Sequence, residues 1–220
     1  MSAQTLAAAI AAGVAAACTA IVARRLASTR SRRPPLIAWT IGFALFTVAS
    51  VALLDGAARG WSAIPFRIYY LSGGVLVVAY LAVGEMLLVL PGRTITRLVA
   101  ATMLFLTFAA TAAVLAARVD AGELARAGAT PPNGALKGPW PTVMAIALNS
   151  AGTLVLLVGS ILSARRRRDP RPLLVAAGVA VIALASSATR LGSYTLFALA
   201  QAAGVTLILL GLITRRRSSG

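Results

Sequence analysis

The chain has 220 residues, of which 59% are hydrophobic and 12% charged; an ordinary water-soluble domain carries about 25% charged residues and 45–50% apolar ones. That composition excludes a water-soluble core, and the formal charge of +16 is scattered among short breaks instead of gathered into a basic patch with interleaved aromatics, which argues against nucleic acid as a partner. With no histidine and one cysteine, Cys18, the chain cannot supply the imidazole and thiolate sets of zinc, copper, iron–sulfur or bis-histidine haem sites, so no protein-held cofactor or metal is expected.

Seven apolar runs alternate with arginine-rich breaks, most of them near the roughly 20 residues a helix needs to cross a hydrocarbon core about 30 Å thick. The first runs from Leu6 to Ala23. No basic residue precedes it, and Arg24 and Arg25 follow it, so it reads as a retained helix and not a cleaved signal; Cys18, set among alanines, reads as a small packed thiol. The second, Leu36 to Leu54, opens behind Pro34 and Pro35. The third, Ile68 to Leu90, contains Glu85, and the fourth spans Ile95 to Ala117. The longest break, Arg118 to Trp140, carries Asp120, Glu123, Pro131, Pro132, Asn133, Gly134 and Pro139; this is turn chemistry, a solvated connector, with a lid over an outer opening as the alternative. The fifth run is Val143 to Ala164. The sixth, Leu173 to Ala188, and the seventh, Leu191 to Ile213, are parted only by Thr189 and Arg190. Trp39, Trp61 and Trp140 stand near run ends, where indole rings anchor at the membrane interface. The expected fold is therefore all-α: one polytopic bundle of seven transmembrane helices with no soluble domain.

Orientation follows from the basic residues on alternate sides. Fifteen fall on one side (Arg24, Arg25, Arg30, Arg32 and Arg33, then Arg93 and Arg97, then the cluster ending at Arg171, then Arg215 to Arg217) and six on the other (Arg59, Arg67, Arg118, Arg126, Lys137 and Arg190). The richer side is expected to be cytoplasmic, which puts the N-terminus outside and the C-terminus inside, in the inner membrane of a bacterium-like cell. A faint internal similarity has two readings, a 3+1+3 parallel repeat or the compositional likeness of alanine-rich runs: prolines open the second and sixth runs and an arginine followed by a tyrosine opens the third and seventh (Arg67 and Tyr70; Arg190 and Tyr194). Parallel repeats of this sort occur in transporters.

Glu85 is the first candidate for function, because a carboxyl inside hydrocarbon is costly and must find partners or a proton. At α-helical spacing it shares a face with Leu81, Val78, Gly74, Tyr70 and Arg67. Arg67 lies 18 residues away, about 27 Å along the axis, so a partner must come from elsewhere, with Arg93 and Arg97 nearest in sequence. Arg190, Tyr194 and Gln201 form a second polar stripe on one face of the seventh run, descending from outside toward the middle. Asn149 and Asp55 are candidate opposite walls. The bland reading of these groups is interhelical hydrogen bonding. The sharper one is a pathway or binding site for a small anionic solute or a proton.

A competing expectation is a non-transporting membrane subunit or scaffold. In it, Arg165, Arg166, Arg167, Arg168, Arg215, Arg216 and Arg217 meet anionic lipid headgroups or an acidic partner. Retinal-type pigments are excluded, since they need a lysine in the last helix and the one lysine here, Lys137, is in a loop. No nucleophile–base set or phosphate loop is present, and any enzyme chemistry would have to work without histidine.

Overall fold

The computed structural model describes residues 3–29, 33–128, 130–132, 134–188 and 194–213. Among the site candidates, Arg190, Arg215, Arg216 and Arg217 and the side chains of Arg167 and Tyr194 lie outside the described residues, as does Asn133 of the long loop.

Alanine, leucine and valine dominate the apolar runs, and with no water to bond their backbone groups such segments must satisfy them internally, as helices. Helix α1 (Ala3–Ser28) is followed by α2 (Arg33–Arg59), whose first turn accommodates Pro34 and Pro35 because the N–H groups there need no helical partner. The third rod is composite. It joins α3 (Ala63–Tyr69), a π-helical segment (Tyr70–Leu76) and α4 (Val77–Val89) into one helix. Then come α5 (Arg93–Ala116), short α6 (Ala121–Arg126), α7 (Pro139–Arg167), α8 (Leu173–Ala188) and α9 (Tyr194–Ile213).

Five of these rods are long and apolar enough to cross a membrane: α1, α2, Ala63–Val89, α5 and α7. Helices α8 and α9 are equally apolar but shorter as described, at 16 and 20 residues, or about 24 and 30 Å of rise. By the length and composition of these helices the chain has the character of a helical membrane protein, and its surface has the inverse of a soluble protein's pattern. Leu98, Leu104, Phe105, Phe108 and Leu115 of α5 point outward, Phe105 with 71% of its surface exposed. In water such a face would aggregate; in a bilayer it meets acyl chains.

Helix α1 packs on α2 and α9 through an alanine face that includes Ala8, Ala11 and Ala15, and the Thr19 and Thr47 hydroxyls meet across it at 2.9 Å. Gly178 lets α8 and α9 approach backbone to backbone, since a Cβ there would stand 2.4 Å from the Gly204 carbonyl oxygen. Small residues drive this contact because lipid tails give helices no hydrophobic reason to associate. Gly13, in a similar small-residue pattern, meets nothing. The α4 rod fills the middle, against α2 on one side and α7 on the other, while α5 touches its neighbours only lightly.

Two of the tryptophans read as interface anchors are turned into the protein. Trp39 and Trp61 are buried, because Gly84 and Gly56 open slots that a Cβ would close; Trp140 alone of the three is exposed. The long loop is more than a solvated connector. Its strands β1 (Arg118–Val119) and β2 (Leu136–Lys137) pair antiparallel, and Asp120 caps α6 by accepting from the Gly122 and Glu123 N–H groups at 2.9 and 3.2 Å. Leu124, Ala135 and Leu136 pack down onto Trp61, Phe66 and Val114, so the loop is a small folded cap on that end of the bundle.

Candidate functional site: a cavity at the π-helical turn

At the level of the π segment the bundle holds a partly open cavity of about 450 Å³, walled by α2, the third rod, α7, α8 and α9, within the range of about 300–1,000 Å³ usual for small-molecule sites. The wall is mostly apolar. Its polar side chains are Ser50, Tyr69, Asn149, Thr153 and Gln201, all uncharged.

The π turn decides which side chains reach this space. Its i→i+5 bonding spends one extra residue per turn, so everything before it is rotated by about 100° relative to an uninterrupted α-helix. Counting back from Leu81, an α-helix would put Tyr70 and Arg67 on the cavity face; with one residue added, Tyr69 and Phe66 take those places. Tyr69 lines the cavity. Phe66, fully buried, packs edge-on beneath Trp61 at 6.0 Å between ring centres. One amide serves the turn itself: Asn149 Nδ2 donates to the Gly74 carbonyl at 2.6 Å and to the Ala145 carbonyl of its own helix at 2.9 Å. Both of its N–H groups are thereby used, and Oδ1 remains to accept.

Gln201 occupies the cavity wall on the α9 face shared with Phe197, Val205 and Ile208. The Gln201 amide and the Tyr69 and Thr153 hydroxyls border the cavity without a hydrogen-bond partner among the described residues. The hydroxyl of Ser50 is turned back to the Phe46 carbonyl at 2.8 Å. The cavity therefore offers two hydroxyls and two amide groups to a ligand, and no described charge.

The other sequence candidates lie elsewhere. Arg67 reaches to the end of α5, donating to the carbonyls of Val114 (2.9 Å), Leu115 and Ala117 (2.8 Å). These are among the carbonyls a helix end leaves unpartnered, so Arg67 is a cap. Tyr70 stacks at a tilt on Phe66, 6.1 Å between centres. Asp55 pairs with Arg59 at 3.2 Å on the surface.

Glu85 is 2% exposed and outside the cavity lining. It stands one helical turn beyond Leu81, which together with Leu156 and Ile208 closes that end of the space. Ser163 Oγ donates to Glu85 Oε1 at 2.8 Å, and Gly159 leaves the room for the carboxyl, since a Cβ there would sit 2.6 Å from Glu85 Cγ. Ser160, wholly buried, has a hydroxyl with no partner among the described residues. On α7, Asn149, Thr153, Ser160 and Ser163 thus make a polar stripe from the cavity to Glu85, broken at Leu156. Arg93 and Arg97 border a separate groove at that end of the rod, and Arg166 donates to the Val89 carbonyl at 3.3 Å.

Sequence reasoning missed Tyr69, Thr153 and Ser50. Thr153 had a signal, lying one turn past Asn149 on the same face. Tyr69 had none, because the π turn that selects it over Tyr70 arises from packing. Comparison with protein-family models, with curated proteins and with solved structures found no match.

Proposed function

We propose that the chain binds a small, uncharged and largely apolar solute inside the bundle and passes it across the membrane. The observation that carries this reading is the cavity itself: half-buried hydrogen-bonding groups of Gln201, Tyr69 and Thr153, without a partner among the described residues, in a largely apolar chamber at an irregular helical turn. Buried polar groups are ordinarily satisfied, and π turns recur at functional sites. Of the two cations that suggested an anionic solute, Arg67 is committed to the α5 carbonyls and Arg190 lies outside the described residues, so the uncharged lining favours a neutral solute. Glu85, one turn past the Leu81 end, is the group we assign to proton exchange on the inner side. In this reading α8 and α9 complete seven crossings, with the N-terminus outside and the C-terminus cytoplasmic.

The test is thiol labelling in proteoliposomes on a Cys18→Ala background, using a small water-soluble methanethiosulfonate that reacts only with thiolate and hence only where water enters. Gln201→Cys and Thr153→Cys are expected to react, and lipid-facing Phe105→Cys to stay inert. A Gln201→Cys protein as unreactive as Phe105→Cys would remove the solute pathway. Proton flux is then compared between wild type and Glu85→Gln; equal flux takes Glu85 out of the mechanism.

A second reading rests on the exposed residues Arg165 and Arg166 in the last turn of α7 and Arg168 just past it. In it the chain is a membrane subunit that gathers anionic lipid or an acidic partner at that surface. A dry, unreactive cavity in the labelling experiment would favour it.

A further inference from the structure

We propose that α5 and its neighbours form a binding site for one anionic phospholipid, distinct from the α7 arginine cluster and independent of the central cavity. Two hollows meet there. The first, about 560 Å³, lies at the turn from α4 into α5 and is bordered by Pro34, Pro35, Leu87, Leu88, Arg93 and Arg97. The second, about 430 Å³, continues from it between α2, α4 and α5, with Ile37, Ile41, Val83, Ala100, Met103 and Leu104 along its wall. Pro34, Leu87 and Thr96 belong to both, so the two are one groove with a basic mouth and an apolar length.

Charge identifies what fits the mouth. The four carboxylates at the surface are already matched: Asp55 with Arg59, Glu123 with Arg126, Asp120 with Lys137 and Asp169 with Arg171. Arg93 and Arg97 are exposed, one helical turn apart, and make no ion pair among the described residues. They suit a phosphate. A soluble anion would satisfy them equally well, but it would leave the apolar part of the groove unfilled. From Thr96 to Leu104 that part runs eight residues along α5, about 12 Å, and its wall includes Tyr80, whose hydroxyl meets that of Thr107 at 3.0 Å. A headgroup at Arg93 and Arg97 with an acyl chain laid toward Tyr80 fills both hollows. It also accounts for a fifth helix that leans on the bundle only lightly: the lipid supplies packing that side chains do not.

The experiment measures the thermal unfolding midpoint of the detergent-solubilised full chain titrated with phosphatidylglycerol, with phosphatidylcholine of the same chains, and with inorganic phosphate. Phosphatidylglycerol is expected to raise the midpoint at lower concentration than phosphatidylcholine, with phosphate inert. In the Arg93→Gln/Arg97→Gln double variant the phosphatidylglycerol affinity should fall about 30-fold, as two guanidiniums near an anionic headgroup imply at about 1 kcal/mol each. Ala100→Trp, which fills the exposed groove without entering the core, should also weaken it. Arg24→Gln/Arg118→Gln removes the same charge at two exposed positions away from the groove and should leave the affinity within about twofold of wild type. Equal stabilisation by both lipids overturns the site, as does an equal loss in both double variants, which would mean a general surface charge effect. Stabilisation by phosphate alone would make it an anion site without a lipid. Unchanged lipid affinity in Ala100→Trp would place the lipid outside the groove.

Discussion

Arg67 shows how one residue's role is decided by its neighbours. As a cation at the outer part of a polar helix face it looked like an anion ligand, yet three backbone carbonyls at the end of α5 claim it. Hydrogen bonds to a charged group contribute about 1.5–3 kcal/mol, so Arg67→Leu should lower stability by about 2 kcal/mol in a reversible micelle denaturation, with solute passage affected only through that loss. Arg67→Lys, unable to fork across several carbonyls, should recover less than half. Gly84 carries the opposite constraint: a Cβ would fall 2.1 Å from Trp39 Nε1, and overpacking of this kind costs about 1–3 kcal/mol. Gly84→Ala should therefore destabilise, and the Trp39 fluorescence should shift to longer wavelength as the ring is forced from its slot.

Among elements, the π segment and the cap carry the consequences. The π turn sets Tyr69 in the cavity, and Asn149 holds the Gly74 carbonyl within that turn. Asn149→Leu leaves that carbonyl buried without its partner, a penalty of about 1–3 kcal/mol, and α-helical bonding through 70–76 is the available relief. Tyr69→Cys on the thiol-free background should then label more slowly when Asn149→Leu is added. Equal labelling would separate the amide from the turn.

The cap depends on Asp120. Its carboxyl titrates below its ordinary 3.8, chiefly because the Glu123 N–H bonds the charged form, with Lys137 and the Gly122 N–H adding to the effect. A depressed folded pKa contributes stability that is fully present above the unfolded value and is lost as pH falls through the folded one. Exchange protection of the Gly122 and Glu123 amides should therefore hold steady above about pH 4 and decline below it. In Asp120→Asn that decline should disappear.

For the molecule as a whole, five helices long and apolar enough to cross a bilayer point to the membrane as solvent, and the exposed leucines and phenylalanines of α5 fit those terms. Nitroxides at Phe105 and Phe108 in reconstituted protein should be accessible to oxygen and shielded from a water-soluble nickel chelate. The reverse pattern would mean that α5 does not face lipid. Reporter fusions before Ala3 and after the last residue should report opposite sides of the membrane if α8 and α9 both cross.

The helical class and the approximate ends of the apolar rods were legible in the sequence, because hydropathy and helix length answer to the bilayer's thickness and not to any particular neighbour. The boundaries of α8 coincide with the apolar run from Leu173 to Ala188. Inward placement of Gln201 and Asn149 was also readable, since a polar group facing lipid is costly. Tertiary packing alone decided the rest. Inserting one residue into the third rod exchanged Tyr70 for Tyr69 and turned Arg67 onto a neighbouring helix; glycines at 56 and 84 drew two tryptophans inward; and Gly159 with Ser163 housed Glu85 beside α7 instead of within the cavity. Each of these depends on what another helix presents at a given height, a quantity that no periodicity within a single segment encodes.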